Sequence, residues 1–297
     1  VPVSGANVAV GDIMPVDVNN DYTDDVAYFG VYGVRSNIGA IYGALYRLNF
    51  STWGISQAFG FGSNPAPVFG APNYTLDENN NFWVFFGTGK YLSNADKSIS
   101  YTNYLIGFKD DNWNGTGSVS LSSLTDTTGQ TTSITGPPDA QMCICDSNGC
   151  GLKDVYTNAT GSMPAEVLVG WYIKLTNEAI YSQPAVFGGL VNALSAVLPT
   201  DMCSMEGSSK LYSLYFKSGT PPPRPSIISP NAVQGGQIKQ AVDLGRGVPP
   251  FGQPFQITAG SGKEFQSFLQ ISTGVILKVQ QQTALNYEGR FLLWIEK

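Results

Sequence analysis

Apolar residues along this chain gather in short runs dominated by Tyr, Phe, Val, Ile and Trp, and each run ends in a cluster of Gly, Asn, Asp or Pro. The runs "VAYFGVY", "GALYRLNF", "FWVFFGTG", "YLIGF", "VLVGWYIKL", "QPAVFGG", "KLYSLYF", "VILKVQQQ" and "RFLLWIEK" have the composition and length of β-strands. No long window keeps a helical period. The best helical candidate, "AGSGKEFQSFLQI" at residues 259–271, reads equally well as a turn followed by a strand. Turn signals fall where hairpins need them: "DENNN" at residues 77–81 leads into "FWVFFGTG", and "STG" at 272–274 separates "FLQI" from "VILKVQQ". The stretch 185–198, "AVFGGLVNALSAVL", carries a Gly pair, Asn192 and Ser195. It is too short to span a bilayer as a helix and reads as two strands and a turn.

Several strands end in an aromatic or aliphatic pair followed by a polar turn, a weak repeat of the kind seen in β-propeller blades. The pattern predicts an all-β protein, a partial and modified β-propeller of four-stranded antiparallel blades with long surface insertions. About fifteen strand candidates suffice for roughly four such blades, although a length of 297 residues would admit more at about 40 to 45 residues each. The polar, Gly-rich stretch from about residue 110 to 165 reads as an insertion, and "SGTPPPRP" as a stiff extended connector. The expected organisation is residues 1–220 as blades, 221–225 as connector and 226–297 as C-terminal strands that complete the propeller.

Composition narrows the function. Only 13% of residues are charged, the balance is −6, and Lys and Arg form no run, so a grip on nucleic-acid phosphates is not expected. The chain has no histidine. Ser-His-Asp and Cys-His nucleophile systems, HExxH zinc sites and c-type haem attachment are therefore excluded. "GTGK" at 87–90 lacks both the upstream Gly and the following Ser or Thr of a phosphate loop. Paired acids at Asp24 and Asp25, Asp77 and Glu78, and Asp110 and Asp111 read as solvated turns rather than a glycosidase pair. Residue 1 is Val, with no signal-peptide pattern, so a processed or trimmed piece of something longer is expected.

The densest chemistry lies in "DVNNDYTDD", residues 17–25, where four carboxylates and two carboxamides crowd into nine positions. Calcium takes oxygen ligands from alternate residues of such a loop. Asp17, Asn19, Asp21 and Asp25 occupy its first, third, fifth and ninth positions, and the Thr23 carbonyl its seventh. Ca2+ is the expected cofactor, since a divalent ion turns mutual repulsion into attraction. The loop is no EF-hand: Tyr22 and Tyr28 stand where that loop has Gly and Glu, and a strand follows. The bland reading is an exposed acidic turn. "DDNWNG" at 110–115 is a weaker echo that reads as a plain turn. Four cysteines, Cys143, Cys145, Cys150 and Cys203, suggest two disulfides, with Cys145–Cys150 and Cys143–Cys203 the preferred pairing; a four-thiolate zinc site is the rival.

The order "GDIMPVDVNNDYTDDVAYFG" to "GALYRLNF", then "FWVFFGTGKYLSNAD" with "NYLIGFKDD", then "GWYIKL", "YSQPAVFGG" and "KLYSLYFKSGT" resembles the C-terminal domain of the PilY family of type IV pilus tip-associated proteins. It extends from about residue 11 to 220, and the last strands also look like the family's. The resemblance implies a modified propeller, a calcium site at residues 17, 19, 21, 23 and 25, and a non-enzymatic role at the bacterial cell surface in pilus assembly, extension and retraction, and adhesion. Implied partners are minor pilins or other tip components, a host or abiotic surface, and an upstream segment or second chain that completes the propeller. The chain has no von Willebrand factor A-like region and no RGD tripeptide, so integrin binding is not implied. Two other classes stay open from the residues alone: a quinone-cofactor propeller dehydrogenase, which would show a cofactor absorbance, and a structural subunit of an extracellular filament, which would self-associate.

Overall fold

The structure is a computed structural model that describes residues 6–35, 40–77, 79–97, 101–133, 142–146, 149–153, 169–199, 207–222, 225–259 and 264–284. The first sheet is a meander of β1 (Ala6–Val16), β2 (Val26–Arg35), β3 (Ile41–Asn49) and β4 (Ile55–Gly60), each antiparallel to the next. The second starts with β5 (Asn73–Leu76), β6 (Phe82–Gly87) and β7 (Asn103–Lys109). The chain then returns across both sheets. Here β8 (Val119–Ser120) runs parallel beside β4, and β9 (Thr125–Asp126) is followed by β10 (Thr131–Ser133), β11 (Met142–Asp146) and β12 (Gly149–Lys153).

The second sheet is completed by β13 (Gly170–Leu175), antiparallel to β7 and parallel to β9. A third sheet holds β14 (Glu178–Ala179), β15 (Ala185–Phe187), β16 (Leu190–Val197) and β17 (Ser208–Tyr215). The hairpin of β18 (Val233–Gln234) and β19 (Gln237–Ile238) pairs with β10, and β20 (Ala241–Arg246) joins the third sheet beside β17. A last sheet contains β21 (Phe255–Ala259), β22 (Glu264–Gln270) and β23 (Ile276–Gln282). The all-β expectation therefore holds, and none of the sheets closes into a barrel among the described residues. The blades are not uniformly four-stranded, because the short parallel strands β8 and β9 widen the first two sheets to five.

Alternation of side chains along each strand explains how the sheets stack. Val16, Val26, Tyr28, Leu45 and Phe59 of the first sheet pack on Val84, Phe86, Ile106 and Phe108 of the second. The intervening residues Trp83, Phe85, Leu105 and Trp171 face the other way, onto Val191, Ala193, Tyr212 and Leu214 of the third sheet. The third sheet repeats the logic, with Leu194, Leu211 and Val242 against Phe255, Leu269 and Val279 of the last. An inner sheet covered on both faces has no solvent side, which is why "FWVFFG" is apolar throughout and buried at all six positions. Each such aromatic contributes roughly 1.5–3 kcal/mol through burial. Gly107 is required at this seam, since a Cβ there would lie 2.6 Å from the Trp171 ring and 2.8 Å from Phe85.

The hairpin signals are realised. Residues 77–81 connect β5 to β6, 272–274 connect β22 to β23, and Gly188 and Gly189, at φ 59° and 77°, make the turn between β15 and β16. The helical candidate at 259–271 is a strand over residues 264–270, with Phe265, Ser267 and Leu269 turned inward in period two. No helix among the described residues is long and apolar enough to cross a membrane.

Candidate metal centre

The acidic loop connects β1 to β2. Val16 and Val26 form the last strand pair and are buried in the core, so the loop springs from a fixed base. The Asp25 N–H donates to the Val16 carbonyl at 2.8 Å and closes the loop, while the Phe50 N–H donates to the Asp25 carbonyl at 2.9 Å and ties it to the end of β3. The five expected ligand residues therefore share one nine-residue excursion, exposed except at Asp17 and Asp25, which are half-buried.

Inside the loop each acceptor side chain holds a backbone amide. Asp17 accepts from the N–H of Asp21 at 3.2 Å and of Tyr22 at 2.7 Å. Asn19 Oδ1 accepts from Asp21 N–H at 2.9 Å, and Asp21 Oδ1 from Thr23 N–H at 2.9 Å. Asp25 reaches back to Val18 N–H at 2.9 Å. These bonds wind the chain so that Asn20 and Tyr22 take left-handed conformations, at φ 60° and 69°. Tyr22 stands at the position where a calcium loop makes its sharp turn, and a bulky side chain holding that conformation costs about 1–2 kcal/mol. Strain of this kind persists where the surrounding contacts over-determine it.

Whether the residues fit a metal turns on donor chemistry and convergence. All five offered atoms are oxygens, which suits a hard cation such as calcium. A carboxylate has about four lone-pair positions, and one or two amides leave the rest available. Convergence is a different matter: among the described residues no three acidic, thiol or imidazole groups are gathered closely enough to hold an ion. The oxygen donor set suits the ion, while the side chains are engaged by the loop's own amides, Asp17 and Asn19 sharing the Asp21 N–H. Tyr74 of the second sheet stands nearby, its phenol pushed up by burial and then by the charges of Asp17 and Asp24.

The second acidic stretch is structural. Asp110 is buried against Arg47, with Nη1 2.7 Å from Oδ1 and 2.5 Å from Oδ2, and the Tyr28 hydroxyl donates to Oδ2 at 2.7 Å. Arg47 also donates to the carbonyls of Gly115 and Gly117, which pins residues 110–117; the turn is the one expected, but Asp110 and Asp77, expected to be solvated, have side chains only 1% and 4% exposed because each is held by hydrogen-bond donors. Asp77 likewise serves a turn. It accepts from Asn79 and Asn81 N–H at 2.9 Å each, from Asn81 Nδ2 at 2.8 Å and from Trp83 Nε1 at 3.2 Å. Lys90 of "GTGK" pairs with Asp96.

Of the cysteines, Cys143 and Cys145 lie on β11 and Cys150 on β12, and the hairpin register sets Cys145 directly opposite Cys150. Cys203, and with it the pairing Cys143–Cys203, lies outside the described residues. One polar cluster in the third sheet had no signal in the sequence. Glu178 accepts from Ser195 Oγ at 2.6 Å and Tyr212 OH at 3.0 Å, and pairs with Lys210 at 2.6 Å. Its members lie on β14, β16 and β17, and only a lone acid beside an apolar run could have hinted at it.

No family model and no curated protein matches the chain. Among solved structures, the crystal structure of the PilY1 C-terminal domain from Pseudomonas aeruginosa has a similar fold, with a TM-score of 0.61 at 14% identity. The match covers 95% of this chain and 62% of that one, so this chain spans less than two thirds of that domain's length. The fold implied by the sequence resemblance is the fold found.

Proposed function

We propose that this chain is a calcium-binding, non-enzymatic module of a type IV pilus tip or biogenesis protein, acting at the bacterial cell surface in pilus assembly, extension and retraction, and adhesion. The observation that carries the reading is the likeness of fold to a PilY1 C-terminal domain over 95% of the chain. The acidic loop supports its calcium component. Asp17, Asn19, Asp21 and Asp25 would hold the ion through side-chain oxygens and Thr23 through its carbonyl. When bound, calcium supplies the charge neutralisation that three ligand carboxylates in nine residues lack.

The remaining steps belong to the chain. Asp25 joins the loop to β2 and, through Phe50, to the end of β3, so fixing its carboxylate fixes the start of β2. A loop ordered in this way changes the population of the surface competent to meet a tip component or an adhesion target. The test is thermal melting with calcium and with chelator. At about 100 times its Kd an ion that binds only the folded state adds about 2.7 kcal/mol, which Asp21→Ala should largely abolish. Equal melting temperatures in both conditions refute the calcium component. Loss of surface pili in cells carrying Asp21→Ala in the full protein supports the pilus role, and normal piliation with normal retraction and adhesion counts against it.

A further inference from the structure

Away from the acidic loop, a crevice of about 300 Å³ opens where the second and third sheets meet the β18–β19 hairpin. Ile173, Tyr212 and Ala241 form its apolar wall, and Gln130, Thr176 and Lys239 supply polar groups. That volume lies at the small end of ligand sites.

Its charges are mostly cancelled within the protein. Lys174 pairs with Asp126 at 2.7 Å, and Glu178 is neutralised by Lys210. Lys239, half-buried, has no side-chain partner among the described residues, which leaves one positive charge facing a concave site in a chain of net charge −6. Recessed charges of this kind focus field lines and attract anions.

Two neighbouring glutamines make the second observation. Gln240 is fully committed: Oε1 accepts from Gly129 N–H at 2.9 Å, and Nε2 donates to the carbonyls of Thr127 at 2.7 Å and Gly219 at 3.2 Å. Gln130 is only 9% exposed and lines the crevice, yet its side-chain amide has no partner among the described residues. Its amide is not among the fully buried unmatched atoms, so it opens to the water of the crevice and is available to a ligand. A ligand that offers both a donor and an acceptor beside a negative charge can replace that water.

We propose that this crevice binds a small hydroxylated carboxylate of monosaccharide size, such as a hexuronic acid. Lys239 takes the carboxylate, and Gln130 and Thr176 take hydroxyls. The site is independent of the acidic loop and of the pilus reading.

The experiment is calorimetric titration of the full chain with D-glucuronate and, at matched ionic strength, D-glucose. Glucuronate should bind saturably and at least about tenfold more tightly than glucose, the factor given by about 1.4 kcal/mol from one charge-assisted contact. Lys239→Met should weaken glucuronate about tenfold while leaving glucose unchanged, and Gln130→Leu should weaken both. Asp21→Ala should leave all of this intact, which separates the site from the calcium loop. Melting temperatures check that each variant folds. Methyl β-D-glucuronide runs in parallel: equal binding identifies the terminal residue of a glycan, and selective binding of the free acid identifies a soluble metabolite. No saturable binding of either acid up to about ten times a 1 mM Kd, or binding indifferent to Lys239→Met and Gln130→Leu, overturns the proposal.

Discussion

Arg47→Met tests what holds the first sheet to the second. Arg47 on β3 and Asp110 after β7 each have side chains 1% exposed, and the Tyr28 hydroxyl of β2 completes the cluster. Methionine keeps much of the arginine stem's apolar volume but removes the cation, so the Asp110 carboxylate stays buried with only the Tyr28 hydroxyl and the Asn112 N–H. Removing one partner of a buried pair costs about 3–5 kcal/mol, because the other charge is left uncompensated. At about 2–4 °C per kcal/mol for a domain of this size class, melting should fall by about 6–20 °C. Asp110→Asn should cost a comparable amount, and the double variant less than the sum of the two. The assay is a double-mutant cycle by thermal and urea unfolding at low and high salt. A solvated pair would weaken with salt, whereas this one should not. Additivity of the single variants within about 0.5 kcal/mol, or a cost for Arg47→Met below about 1 kcal/mol, would show that the pair does not couple the sheets.

Tyr22→Gly should leave the protein more stable than Tyr22→Val by about 1–2 kcal/mol in chelator, since φ 69° is free for Gly and hardest for a β-branched residue; equal melting of the two would refute the strain. Burial pushes the Asp77 carboxyl up, but hydrogen bonds from Asn81, Trp83 and Asn79 outweigh it and hold the group below the usual carboxylate range. A depressed folded pKa contributes stability above about pH 4 that is lost as pH falls through the lower folded value. Asp77→Asn should therefore lower melting at pH 7 and flatten its decline in acid, and an unchanged pH profile would contradict this. In oxidised protein, Cys145 and Cys150 should be recovered as one disulfide-linked pair by mass spectrometry of unreduced digests, because opposed residues of an antiparallel hairpin lie within bridging distance. Recovery of both as free thiols would refute the pairing.

Strand identity was legible wherever burial and period agreed. "FWVFFG" and "YLIGF" announce inner strands because both faces are covered, and turn residues mark the ends of β5, β15 and β22. The two-residue strands β8, β9, β14, β18 and β19 were not legible. A segment that short carries no period, and its pairing is decided by sheets built from distant sequence. The helical ambiguity at 259–271 has a chemical cause. Ser267 occupies an inward position of β22, where its hydroxyl donates to Gln281 Oε1 at 2.5 Å and both residues are fully buried. A polar residue on the inner face breaks the period-two pattern, and Phe265, Phe268 and Leu269 are left to suggest a helix.

The two sites differ in legibility for the same reason that they differ in construction. Every donor of the acidic loop lies within nine consecutive residues, so carboxylate density and alternate spacing expose it directly. What the spacing does not carry is the side-chain arrangement: local Asx bonds to the loop's own amides are as well served by Asp17, Asn19 and Asp21 as ion coordination is. The same residue types therefore satisfy a folded turn and a metal centre, and only an energetic measurement with the ion separates them. The crevice inverts this. Gln130, Thr176, Tyr212 and Lys239 come from four separated segments brought together by the pairing of β10 with β19 and of β17 with β20. Each is ordinary where it stands in the chain, and the information appears only when folding commits one amide to the backbone and turns its neighbour to the crevice. A contiguous site declares its chemistry and hides its geometry, whereas an assembled site does the reverse, so a functional reading of an all-β chain needs both directions of inference.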